Sequence, residues 1–276
     1  MVNKAPRKLN FRARTLDDSF LKDGLVASSL LNGKEPVYLV GGVATQTYLP
    51  SSCRRPTSDV DFSVVRPLCY ADFKVMVTPI SERLRDGGYI VNTVKRSRAY
   101  CLDVTNPKTD ETLTLEFSRR NEQNFDSNKA HLERELENAN TKIIEGTDAS
   151  CVVASSEDIA IPKTVRSISS LTRNPWLYEF VPKEIEYLSN DRIKNYLSAI
   201  GELREEASVN LDPELAEKLR FISDLFDIRL LSELIGFNKK YLAEVASEWN
   251  ATSKPSEERE ALTKTVFPLL YDLFSK

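Results

Sequence analysis

The chain has 276 residues, 29% of them charged, with a formal net charge of −3 and a pI near 5.5. That length buries a sizeable core in one large domain or two ordinary ones, and the near-neutral balance excludes a polycation that grips nucleic acid by bulk charge alone. A single histidine, His131, and four cysteines (Cys53, Cys69, Cys101 and Cys151) in no CxxC spacing argue against histidine-base chemistry, a zinc centre and a disulfide framework.

Residues 1–14 carry Lys4, Arg7, Lys8, Arg12 and Arg14 with no acid. Such a run is most often a solvated end, and otherwise a contact for RNA or another polyanion. Apolar residues then recur at helical spacing over 16–31. Residues 37–40 read as a strand, and Gly41-Gly42 turns it into a helix running to 48. Residues 60–65 read as a strand and 71–84 as a helix that Gly87-Gly88 ends. Strands follow over 89–94, 99–105 and 112–118, the last two joined by the hairpin turn Asn106-Pro107-Lys108-Thr109-Asp110. Short strands are expected over 141–144 and 150–153. Beyond residue 155 only Gly201 and Gly236 remain of the glycines, and the spacing becomes helical over 181–188, 193–203, 213–235, 241–249 and 257–274. The expected fold class is α+β: a mixed sheet flanked by helices in a domain over 1–154, then a helical bundle over 155–276. No apolar run reaches the length of a membrane span and no signal peptide opens the chain, so a soluble cytoplasmic protein without a membrane partner is expected.

The chemistry concentrates in VYLVGGVATQTYLPSSCRRPTSDVDFSVV, residues 37–65. On a strand, residues two apart share a face, so Asp59 and Asp61 project together while Val60 and Phe62 enter a core. Two carboxylates that close repel unless a divalent cation with oxygen ligands compensates. A third acid on a neighbouring strand completes such a site. Glu116 is the candidate, because Leu113, Leu115 and Phe117 alternate with it onto the opposite face. A lone DxD is more often two exposed acids at a strand edge. The Gly41-Gly42 turn, whose amides can approach a phosphate at a helix N-terminus, makes the combination more specific.

These residues carry a resemblance. Gly41-Gly42 followed by Arg55-Pro56-Thr57-Ser58-Asp59-Val60-Asp61 resembles the glycine and R-x-T-x-D-x-D pattern of the DNA polymerase β-like nucleotidyltransferase superfamily. SSEDIAIPKTVRSI, which contains Lys163, and LRFISDLFDIRLL, which contains Asp224 and Asp227, resemble segments of the AbiEii/AbiGii-type nucleotidyltransferase toxins. The pattern departs from many members at Val43, where they carry a hydroxyl side chain. The resemblance implies a nucleotidyltransferase-type sheet and a helical domain contributing to the nucleotide cleft. It implies that Asp59, Asp61 and Glu116 hold Mg²⁺ (or Mn²⁺), and that Gly41, Gly42, Arg55, Thr57 and Lys163 hold an NTP. Lys163 would give the triphosphate a point charge, and Asp224, preferred over Asp227, would face the cleft and orient the nucleotide or Lys163.

The function expected from this is transfer of an NMP from an NTP to an acceptor hydroxyl on tRNA or a protein, by the toxin of a toxin–antitoxin or phage-defence system with an antitoxin partner. The alternatives are a small-molecule nucleotidyltransferase of the antibiotic-modifying kind and an inactive nucleotide-binding module. Bland readings stand beside several residues. Lys163 after Pro162 also fits simple helix initiation, and Asp224 or Asp227 also fits pairing with Arg220 or Arg229. Arg54, Arg55, Lys95, Arg96, Arg98, Arg119 and Arg120 fit either a solvated face or a track for a phosphate backbone. Tyr70 and Tyr100 fit ordinary packing better than base stacking.

Overall fold

The structure is a computed structural model and describes residues 10–185, 187–210, 212–249 and 256–274. Lys4, Arg7 and Lys8 of the basic N-terminal run lie outside the described residues. The chain divides into two compact units, one made of residues up to Thr47 with Pro56–Ala154, the other of Tyr48–Arg55 with the chain from Ser155 onward. Among the described residues no helix is long and apolar enough to cross a membrane.

The first unit runs β1 (Asn10–Phe11), α1 (Ser19–Ser28), β2 (Val37–Val40), α2 (Gly41–Tyr48), β3 (Asp59–Val64), α3 (Tyr70–Met76), α4 (Thr78–Asp86), β4 (Ile90–Lys95), β5 (Ala99–Asn106), β6 (Glu111–Ser118), α5 (Glu122–Asp126), α6 (Lys129–Glu137), β7 (Asn140–Ile143) and β8 (Ser150–Val153). The strands form one mixed sheet in the order β4-β5-β6-β3-β2-β8-β7, with β1 pairing β6. β3 lies antiparallel to β2 and parallel to β6. α1 starts where the Asp18 carboxylate accepts the Leu21 amide, which satisfies one of the free donors of a helix start. Phe62 and Phe117 stack at 4.8 Å between ring centres on the apolar face of β3 and β6. Arg14 is buried and pairs Glu111 at 3.0 Å, and Arg12 pairs the same acid at 3.0 Å. The described end of the basic N-terminal run is therefore engaged within the protein.

The helix expected over 71–84 is two helices broken at Val77, with Pro79 in the first turn of α4. A proline has no amide to donate and crowds the carbonyl four residues earlier, so a helix's first turn accommodates it at least cost and its interior at a penalty. α5 and α6 were not read from the sequence.

The second unit holds α7 (Ser156–Arg173), a 3₁₀ turn (Pro175–Phe180), α8 (Asn190–Asn210), α9 (Pro213–Leu234), α10 (Lys239–Glu248), α11 (Glu257–Thr265) and α12 (Pro268–Phe274). Ser155 caps α7 by accepting the Asp158 amide, so Pro162 sits inside the helix rather than at its start. The expected helix over 181–188 is absent among the described residues of that stretch. Val181 and Leu188 are buried at its two ends, but Ile185 and Tyr187 between them are 63% and 81% exposed, so no continuous apolar face is buried to hold so short a helix. The helix expected over 257–274 is split ahead of Pro268 for the same reason as at Pro79.

Residues 48–55, assigned by sequence to the first domain, pack with the helices. Leu49 and Cys53 share a core with Leu188, Ile193, Ile200, Phe226 and Leu230. Phe226 is buried in that core and its ring is 5.9 Å from that of Tyr196. Phe226→Ala is expected to lower unfolding stability by about 3–5 kcal/mol, read as a lower denaturant midpoint for the second unit with an unchanged slope.

Candidate active site

The register of three strands explains why the acids meet. Asp61 is paired with Val40 on β2 and with Glu116 on β6, and Asp59 with Thr114. Paired residues on adjacent strands point to the same face, and so do residues two apart on one strand. Asp59, Asp61 and Glu116 therefore share a face, while Val60, Phe62, Leu115 and Phe117 are buried on the other. Each of the three acids is half-buried and offers one carboxylate oxygen within 4.8 Å of the other two. Among the described residues no other group of histidines, cysteines or acids gathers in this way. Three charges of one sign on a rigid sheet, all presented through oxygen, fit a hard divalent cation such as Mg²⁺ or Mn²⁺.

The surroundings hold this arrangement. The Thr57 hydroxyl donates to Asp59 at 3.2 Å, and the Thr57 backbone exchanges two 2.8 Å hydrogen bonds with Arg14. Gly41, the first residue of α2, has φ +73°, and a Cβ there would stand 2.3 Å from Asp61 Oδ2. Only glycine accommodates both the backbone and the carboxylate. Asp61 thereby lies at the start of α2, the positive end of the helix dipole, and Gly42 follows within its first turn. Glu116 accepts a close ion pair from Arg96 and a 3.8 Å contact from the Cys101 thiol through the same oxygen, Oε1. Burial and the adjacent Glu116 charge push the Cys101 thiol up to about 12, so it stays protonated at neutral pH.

The other site residues gather in the second unit as a buried ionic cluster. Lys163 on α7 donates to Asp224 at 3.1 Å and to Asp227 at 2.8 Å. Arg55 grips Asp227 with two bonds of 2.8 and 2.6 Å, and Arg166 grips Asp224 with two of 2.7 Å. Lys163, Asp224 and Asp227 are only 4%, 2% and 1% exposed, so neither acid is more open than the other. Arg220 and Arg229 are not their partners: Arg220 pairs Glu217 at 3.2 Å and Arg229 pairs Glu233. Arg166, which sequence reasoning missed, was detectable as the residue one turn beyond Lys163 on the same face of α7. His131 lies on α6, 2.9 Å from Glu135.

The seven-residue basic track does not survive as such. Arg55 and Arg96 are bound to acids, and Arg120 is bound to Ser118, Ser63 and the Val64 carbonyl. Arg54 donates to the Leu49 carbonyl. Lys95, Arg98 and Arg119 are the exposed members. Tyr70 and Tyr100 pack together, each also against Phe73, as ordinary packing aromatics do.

No family model and no curated protein matches the chain. Among solved structures it is similar to the crystal structure of an antigenic nucleotidyltransferase-like protein from Paracoccidioides brasiliensis, at 14% identity and a TM-score of 0.39, over 72% of this chain and 94% of that one. At that score the likeness adds nothing to what the site geometry supports.

Gly41→Ala forces a left-handed backbone on alanine and drives a methyl group into Asp61. The expected cost is about 1–3 kcal/mol of stability, and Mn²⁺ binding at the acids should weaken at least about tenfold, measured by denaturation and by the Mn²⁺ spin signal. In the second cluster, burial alone would raise the Asp224 carboxyl, but the Lys163 charge and the Arg166 bonds override it and hold the group below its ordinary value. A depressed folded pKa contributes stability that is present above the unfolded value, about 4, and is lost as pH falls through the lower folded one. Asp224→Asn should therefore unfold about 3–5 kcal/mol more easily at neutral pH, since it leaves Lys163 and Arg166 short of a counter-charge. The gap to wild type should close below pH of about 4, in denaturation curves taken across the acid range.

Proposed function

We propose that this chain is a metal-dependent nucleotidyltransferase that moves an NMP from an NTP to an acceptor hydroxyl and releases pyrophosphate. The observation that carries the reading is the convergence of Asp59, Asp61 and Glu116 on one sheet face beside the Gly41 turn. Mg²⁺ or Mn²⁺ held by the three carboxylates supplies Lewis-acid charge for an in-line displacement at phosphorus. Thr57 fixes Asp59 through its hydroxyl. The amides at the start of α2 offer donors to phosphate oxygens. The acceptor oxygen would bond to the α-phosphorus as the bond to pyrophosphate breaks; the acceptor hydroxyl, its pKa lowered by the bound cation, would lose its proton to water, with Glu116 as the alternative base. Lys163 has its partners, Asp224 and Asp227, inside the second unit.

The finer reading, a toxin of the AbiEii/AbiGii type acting on tRNA or a protein and held in check by an antitoxin, is part of the proposal and rests on the sequence resemblance. The test is a transfer assay with each of four α-labelled NTPs, Mg²⁺ or Mn²⁺, with and without total tRNA, and a parallel reaction of Asp59→Ala. Label is expected on RNA or protein for the wild type. The variant should be slower by about 1,000-fold, equivalent to roughly 4 kcal/mol of barrier. Expression of the wild type should slow growth and expression of Asp59→Ala should not. Equal harmlessness of the two in several hosts withdraws the toxin reading while leaving the transfer reading to the assay.

A further inference from the structure

Glu116 has a cation of the protein's own bound to it, the guanidinium of Arg96. Arg96 follows β4 at the turn into β5, where its amide donates to the Ala99 carbonyl at 2.9 Å. Its Nη1 pairs with Glu116 Oε1, and its Nη2 bonds Asp103 Oδ1 at 3.1 Å. Asp103 is buried and also accepts the Thr114 hydroxyl at 2.8 Å. Thr114 is the strand partner of both Asp59 and Asp103. A chain of bonds thus runs from the β6 backbone through Thr114, Asp103 and Arg96 to Glu116. Arg96 and the Cys101 thiol both converge on Oε1 of Glu116, while no hydrogen bond to Oε2 is seen among the described residues.

We infer that Arg96 is a positioning residue that fixes Glu116 as a one-oxygen ligand, and that through it Asp103 and Thr114 set the affinity of the carboxylate site for a divalent cation. The inference rests on the reading of Asp59, Asp61 and Glu116 as a cation site. Outer-sphere partners of metal-binding carboxylates orient the ligand before the ion arrives, and their loss weakens binding even though they never touch the metal. A guanidinium is suited to this because its planar fork holds two carboxylates at once, each at a set angle. Charge alone makes the opposite demand. Removing a cation from a cluster of acids raises the local negative potential and should draw a metal in more tightly. The sign of the change therefore separates positioning from competition.

The experiment measures Mn²⁺ binding directly, by its spin signal and by titration calorimetry, on the full chain. It compares wild type, Arg96→Met, Arg96→Lys, Asp103→Asn and Asp59→Ala, with a thermal melt of each metal-free protein. Positioning predicts that Arg96→Met weakens Mn²⁺ binding by about 10–100-fold, that Arg96→Lys restores part of it, and that Asp103→Asn gives an intermediate loss. Binding by Arg96→Met that equals or exceeds wild type overturns the inference and leaves the cation site standing. Wild-type protein that binds no more Mn²⁺ than Asp59→Ala overturns the cation site itself, and this inference with it. Should Arg96→Met fail to fold, Arg96→Lys and Asp103→Asn decide: wild-type affinity in both overturns the inference, and weakened binding in a normally melting protein supports it.

Discussion

Like charges on one face of neighbouring strands repel, and the first unit is built around a place where its register compels that repulsion. Asp61 cannot leave the face it shares with Glu116 without moving β3 by one residue, which would turn Val60 and Phe62 out of the core and Asp59 and Asp61 into it. The apolar side of β3 and β6 thus fixes the polar side. Burial of the phenylalanine pair and its neighbours supplies the free energy that holds three carboxylates within reach of one another. A fixed acidic cluster is the condition for taking up a hard cation without reorganising the protein.

The local environment then divides the three acids by role. Asp59 is steadied by Thr57, Asp61 lies against Gly41 at the start of a helix, and Glu116 is tied to Arg96. Each of these supports comes from a different segment of the chain. Cys101, kept neutral by burial, adds a contact without adding charge.

The second unit meets a different problem, the burial of ions. Lys163, Asp224 and Asp227 are removed from water, and the two acids satisfy three cations through bidentate and shared bonds. Such a cluster contributes little over a well-packed apolar core, but breaking one member strands the others. Arg55 ties the segment 48–55 to α9, and Lys163 and Arg166 tie α7 to the same helix.

Local pattern alone determined the strands that carry the acids, the shared face of Asp59 and Asp61, and the assignment of Glu116 to that face, because a period of two is set by the backbone and visible in the order of residues. It also determined the helical character of the chain beyond residue 155. Tertiary structure decided what long-range packing controls: that 48–55 joins the helices through Leu49 and Cys53, and that Asp224 and Asp227 pair with Arg55, Lys163 and Arg166 rather than with residues one turn away. It also decided that Arg96 reaches across β5 to Glu116. The partners in these ion pairs lie 20 to 172 residues apart along the chain, and no spacing rule links them. Burial brings such groups together, and an ion out of water then bonds to whichever opposite charge the fold has placed beside it.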